Sequence, residues 1–119
     1  MKRIMMSFVF GGLAAVALGA ITPSVRADGG NISRVRPFGT DSYTRYFDAG
    51  DMVTIGVRGD GDTDLDLYVY CPCPRLLVKD ENPTDDCLVR FRAPESGVYT
   101  IRVMNRGPVS NVYAIAVDD

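Results

Sequence analysis

The sequence predicts an all-β fold, a two-sheet antiparallel β-sandwich of about seven strands. Three observations carry this. After residue 37, short runs alternate apolar and polar residues with period two. Clusters of Gly, Pro, Asn and Asp break those runs near the spacing seen in sandwiches. No stretch past Asp28 carries an apolar period of 3.6 residues.

The elements follow in order. Ser42–Phe47 is a weaker strand. Met52–Arg58 sets Val53, Ile55 and Val57 on one face against Thr54 and Arg58. Leu65–Tyr70 turns Leu65, Leu67 and Val69 inward and Asp66, Tyr68 and Tyr70 outward. Leu76–Lys79 is again weak. Leu88–Arg92 sets Val89 and Phe91 against Arg90 and Arg92. Val98–Met104 sets Tyr99, Ile101 and Val103 against Thr100 and Arg102, and Asn111–Val117 buries Tyr113, Ile115 and Val117. One buried face per strand is what two stacked sheets require.

Residues 1–27 have the layout of a secretory signal peptide, helical before cleavage. Lys2 and Arg3 precede the apolar run Ile4–Ala20, and Val25-Arg26-Ala27 ends it with small residues at −3 and −1. A retained anchor is the alternative, because the run approaches the roughly 20 residues that span a bilayer. Gly11, Gly12, Gly19 and the cleavage-like end favour removal. The expected place is therefore outside the cytoplasm, secreted or in the periplasm or cell envelope, with no membrane span after cleavage. Residues 28–41 are expected to be a lead-in or an added edge strand, and 42–119 a single domain. Cleavage would leave 92 residues with ten basic and fifteen acidic side chains, a net charge of −5. That balance argues against nucleic acid, which is bound through dense basic patches.

Three cysteines in an exported chain predict one bridge and one spare thiol. Strand parity leans Cys71 and Cys87 inward, so Cys71–Cys87 is the expected disulfide. Its loop would contribute about 3 kcal/mol by chain entropy. Cys73–Cys87, Cys71–Cys73 and no bridge are the alternatives. With no histidine, three cysteines make an incomplete zinc set. Cys71-Pro72-Cys73 is also not the C-x-x-C of thiol oxidoreductases.

Asp60, Asp62, Asp64 and Asp66 are hard oxygen donors of the kind calcium prefers, though their spacing is not that of an EF-hand. Asp62, Asp64 and Asp66 fall on one side where a strand begins. Calcium on these three is one reading. The other is a solvated turn whose carboxylates bond its own backbone. Asp80, Asp85 and Asp86 form a second acidic loop. Arg58-Gly59-Asp60 lies at a strand-to-turn junction, where Gly and Asp are expected without any adhesion role. Asn31-Ile32-Ser33 fits the N-glycosylation pattern only in a host that glycosylates.

Tyr68, Tyr70, Arg90, Arg92 and Arg102 face outward and are the expected contact surface, since tyrosine and arginine are enriched at interfaces. Cross-strand pairing on a solvated sheet is the alternative. No catalytic constellation emerges: there is no histidine to activate Ser42, Ser96 or Ser110, and nothing gathers two carboxylates into one cleft.

Several stretches together resemble the bacterial pre-peptidase C-terminal (PPC) domain. They are F-D-A-G-D (Phe47–Asp51), V-T-I-G-V (Val53–Val57), D-L-D-L-Y-V (Asp64–Val69), F-R-A-P-E-S-G-V-Y-T-I-R-V (Phe91–Val103) and S-N-V-Y-A-I-A-V (Ser110–Val117). The resemblance runs from about Ser42 to Val117. It implies a jelly-roll-like sandwich without catalytic residues, here as a stand-alone secreted module. Members accompany secreted peptidases, and related collagen-binding modules bind calcium and extended polymers. Cys71-Pro72-Cys73-Pro74 departs from the Asp/Asn/Gly turn expected there. The functional expectation is a non-enzymatic binding or accessory module, calcium-stabilised in one version, with no other cofactor. Its expected partners are a secreted peptidase, a polysaccharide or an extracellular protein. The alternative is a structural or assembly component of the cell envelope, pairing through a sheet edge or the spare cysteine.

Overall fold

The alternating runs become strands wherever one side of the run can be buried. A computed structural model describes residues Gly30–Asp119; the expected signal peptide lies outside the described residues. Eight strands follow one another: β1 (Gly30–Val35), β2 (Thr40–Phe47), β3 (Met52–Arg58), β4 (Leu65–Tyr70), β5 (Leu76–Asp80), β6 (Asp86–Arg92), β7 (Gly97–Asn105) and β8 (Asn111–Asp118). They form two four-stranded antiparallel sheets, ordered β1-β8-β3-β6 and β2-β7-β4-β5. No helix among the described residues is long and apolar enough to cross a membrane.

The eighth strand is the one the sequence left open. Gly30–Val35 pairs along its length with β8, from Gly30 opposite Ala116 to Val35 opposite Asn111. It is an edge strand rather than a lead-in. Among residues 31–35 only Val35 is buried, while Ile32 and Arg34 face solvent, so the run lacks the alternation that marks the inner strands.

Both sheets send their inward residues into one core. Val53, Ile55, Val57, Val89, Phe91, Tyr113 and Ile115 come from the first sheet, and Phe47, Leu65, Leu67, Val69, Tyr99, Ile101 and Val103 from the second. Phe47, Phe91 and Tyr99 meet across the layers, with ring centroids 5.3–6.1 Å apart, the edge and tilted geometry that aromatic quadrupoles favour. Tyr99 buries its ring and donates its hydroxyl to Glu95 O at 2.6 Å, so the phenol is satisfied without reaching water.

Successive strands run in opposite directions, so their connections gather at two ends. Residues 36–39, 59–64, 81–85 and 106–110 form an acidic end; 48–51, 71–75 and 93–96 form a cysteine end. This division decides which of the expected sites can exist.

Candidate functional site

At the acidic end, Asp60 and Asp85 are consumed by backbone and amide donors. Asp60 accepts the N–H of Asp62 at 3.0 Å and of Val112 at 2.9 Å. Asp85 accepts the N–H of Gly61 at 2.6 Å and the Asn111 amide at 3.0 Å. Asn111, fully buried, also accepts the N–H of Asp60 and donates to Thr63. A side chain on Gly59 would overlap the Asp85 carboxylate and Asn111 Oδ1. Gly59 and Asp60 of the Arg-Gly-Asp string are therefore occupied in holding this end together. The second acidic loop does converge here, through Asp85.

The three carboxylates proposed for calcium behave differently from one another. Asp62 is exposed. Asp66 is only 2% exposed although it lies out of phase with the core residues, because Arg106 ion-pairs its Oδ2 at 3.2 Å and the Tyr68 hydroxyl lies 3.4 Å from it. Asp64 Oδ1 and Asp66 Oδ1 are buried without a hydrogen-bond partner. Burial, reinforced by the neighbouring Asp64 charge, raises the Asp66 pKa above the usual 3.8 against the opposing pull of Arg106. Asp62, Asp64 and Asp66 do not bring three ligand oxygens within 4.8 Å of one another. As a donor set they fit calcium in part: Asp64 and Asp66 each offer one buried oxygen without a hydrogen-bond partner, and the third carboxylate, on Asp62, is exposed.

The expected contact surface divides between two faces. Tyr68 and Tyr70 on β4 and Arg102 on β7 share the outer face of the second sheet, with Tyr68 directly opposite Arg102 in register. The Arg102 guanidinium stands 5.1 Å over the Tyr70 ring, a cation–π distance. The Tyr68 hydroxyl donates to Glu81 at 2.5 Å, and that bond, with burial, pushes the phenol's pKa up so that it remains a donor. Arg90 and Arg92 belong to β6, opposite Thr54 and Met52 of β3 in the other sheet. They cannot join the same surface: outward parity was right for all five residues, but parity does not say which sheet.

The cysteines correct the expected bridge. Cys71 is bonded to Cys73, and Cys87 is a free, buried thiol. Both Cys71 and Cys87 do point inward, at 6% and 4% exposure. But Cys87, near the start of β6, packs against the start of β4, donating its thiol to Leu65 O at 3.1 Å, whereas Cys71 follows the end of β4. Six residues of strand at about 3.3 Å each hold them some 20 Å apart. Burial first, and then the carboxylates of the acidic end, raise the Cys87 pKa to about 12, so the thiol stays protonated and the spare cysteine is not placed to link chains. Cys87 is expected to resist iodoacetamide in the native state and to react within minutes once urea unfolds the chain. Native alkylation at the rate of a free thiol would contradict its burial.

One polar clasp escaped sequence reading. Tyr113, buried on β8, donates its hydroxyl to Asp41 on β2 at 2.6 Å and lies 2.5 Å from the Tyr43 hydroxyl. Burial pushes the Tyr113 pKa up, aided by the bond to Asp41, so the phenol stays protonated and ties the two sheets along one edge. A tyrosine at an inward position was the available signal, because a buried phenol needs a partner.

No protein-family model matches the chain, and no curated protein matches it in sequence. Solved structures do match in shape. The pre-peptidase C-terminal domain of collagenase from Bacillus anthracis is 15% identical, with a TM-score of 0.62 over 76% of this chain and 90% of that one. PliG of Aeromonas hydrophila, a periplasmic lysozyme inhibitor of g-type lysozyme, is 18% identical, with a TM-score of 0.59 over 76% of this chain and 83% of that one. At such identity a likeness speaks for architecture alone: the described residues have a PPC-like β-sandwich fold.

Proposed function

We propose that this chain is an exported, non-catalytic binding module that holds an extended polymer against the outer face of the β2-β7-β4-β5 sheet. The observation carrying this reading is the fixed group of Tyr68, Tyr70 and Arg102. Glu81 pins one ring and Arg102 covers the other, so little side-chain freedom remains to be lost on binding. Aromatic faces flanked by a guanidinium and a carboxylate suit a polysaccharide chain or an extended peptide. A role beside another enzyme fits both solved neighbours, one a domain of a collagenase and the other a lysozyme inhibitor.

Affinity electrophoresis through gels containing soluble polysaccharides or collagen tests the reading. Retention is expected in at least one gel, and Tyr70→Ala or Arg102→Ala should weaken it tenfold or more. Arg90→Ala and Arg92→Ala, on the opposite face, should leave it unchanged. Retention indifferent to Tyr70→Ala, or lost equally in Arg90→Ala, would remove this face from the account.

A second reading, calcium at the acidic end, is favoured by the orphaned oxygens of Asp64 and Asp66. Asp64 and Asp66 would hold the ion, with Asp62 reaching it only by moving its exposed side chain. Bound ion stabilises by RT ln(1 + [L]/Kd), about 2.7 kcal/mol at a hundredfold excess over Kd. The expected signature is a crossing. In chelator, Asp66→Asn melts at or above wild type, because it removes a desolvated charge; in millimolar calcium only wild type gains. The pH dependence has a definite sign. The native Asp66 carboxyl binds its proton at higher pH than the unfolded chain does, so without calcium this group favours the fold increasingly as pH falls through its raised native pKa toward 3.8. Calcium competes with that proton, and its gain should vanish over the same range. Equal melting temperatures with calcium and with chelator would end this reading.

A further inference from the structure

The cysteine end carries a group of side chains that the binding reading does not use. Cys71, Cys73 and Glu95 bring two sulfurs and a carboxylate oxygen within 4.8 Å of one another. The corner is tightly built. Cys71 N–H donates to Arg75 O at 2.9 Å, closing the turn. Three N–H contacts reach the sulfurs: Cys73 N to Cys71 Sγ at 3.3 Å, Arg75 N to Cys71 Sγ at 3.4 Å, and Arg75 N to Cys73 Sγ at 3.3 Å. Pro72 presses on Gly97, where an added Cβ would lie 2.7 Å from Pro72 Cγ. That close approach holds the corner against the 93–96 connection, which supplies Glu95.

A disulfide uses little of this. Its sulfurs are neutral and weak acceptors, and a carboxylate beside them does nothing for the bond. Two thiolates would use all of it, because N–H donors aimed at sulfur favour the anion. Two thiolates beside a carboxylate would then repel one another unless a cation neutralised them. Thiolate donors select a thiophilic metal over calcium or magnesium.

We propose that Cys71, Cys73 and Glu95 form a redox-gated zinc site, closed as a disulfide when oxidised and open to Zn2+ when reduced. A dithiol reductant supplies two electrons and two protons and leaves as its own disulfide. The Cys71 Sγ–Cys73 Sγ bond breaks to give two thiols, and Zn2+ then displaces both thiol protons to solvent. Two sulfurs at the usual Zn–S length of about 2.3 Å sit some 3.8 Å apart, a separation that side-chain rotation allows with Cα atoms 5.2 Å apart. Glu95 is the third ligand and water the fourth. Cys73 and Glu95 are exposed while Cys71 is buried, so reductant and metal both approach from the Cys73 side.

The test is a Zn2+ titration of the chain against a chromophoric chelator, oxidised and after reduction by a phosphine, repeated with Co2+. The reduced chain should take up one equivalent with micromolar or tighter affinity and give a thiolate-to-Co2+ charge-transfer band; the oxidised chain should do neither. Cys73→Ser should weaken binding at least a hundredfold and Glu95→Gln about tenfold, and Cys87→Ser should leave it unchanged. No uptake by the reduced chain, equal uptake by the oxidised chain, or full binding by Cys73→Ser or Glu95→Gln would overturn the proposal. So would unfolding on reduction, seen by circular dichroism, because the site needs the folded corner.

Discussion

Tyr99→Ala is expected to cost about 3–5 kcal/mol, the range for removing a buried aromatic side chain. That is a large share of the stability of a domain this size, about 0.05–0.15 kcal/mol per residue. Tyr99 is fully buried, packs on Phe47 and Phe91 from both layers, and sends its hydroxyl to Glu95 O. No single neighbour can fill the space it leaves. Tyr99→Phe keeps the ring and loses only the hydroxyl's bonds, so its cost should be about 1 kcal/mol. Urea unfolding separates the two through the midpoint at constant slope. Comparable losses for both variants would mean that the hydroxyl, not the ring, carries the effect.

Asn111→Leu is the second large effect, at about 2–4 kcal/mol. The substitution conserves volume but strands polar groups at 63 and 85 and the N–H of Asp60, all of which Asn111 satisfies. Each buried group left without a partner costs about 1–3 kcal/mol, and partial access to water at the loop surface moderates the sum. Asn111→Asp makes the electrostatic point. It sets a second carboxylate beside Asp85, so the variant should be less stable at pH 7 than at pH 5, where protonation of one carboxyl relieves the repulsion. Thermal melts at the two pH values read this directly; an Asn111→Leu domain as stable as wild type would mean that Asn111 does not hold the three loops.

Parity made the inner strands legible. In β3, β6 and β7 every residue the alternation turned inward is buried, because a sheet with one wet face allows no other register. What parity cannot supply is the identity of the neighbour. It sent Arg90 and Arg102 outward without revealing that they leave from opposite sheets, and it sent Cys71 and Cys87 inward without revealing that a full strand length separates them. Asp66 failed for another reason: an outward position became buried because Arg106, forty residues later, lies on it. Glu95 was invisible as a partner of the cysteines for the same cause, since only the fold brings the 93–96 and 71–75 connections together. β1 was ambiguous because an edge strand with Val35 alone buried among residues 31–35 leaves almost no period to read.

Every site described above depends on the two sheets lying face to face with Phe91 of one against Phe47 and Tyr99 of the other. Nuclear Overhauser contacts between assigned aromatic ring protons measure that arrangement most directly. Cross-peaks from Phe91 to both Phe47 and Tyr99 are expected at centroid separations of 6.1 Å, with none from Phe91 to Tyr70. A Phe91 ring in contact with Tyr70, or a Tyr99 ring without a contact to either phenylalanine, would contradict the account.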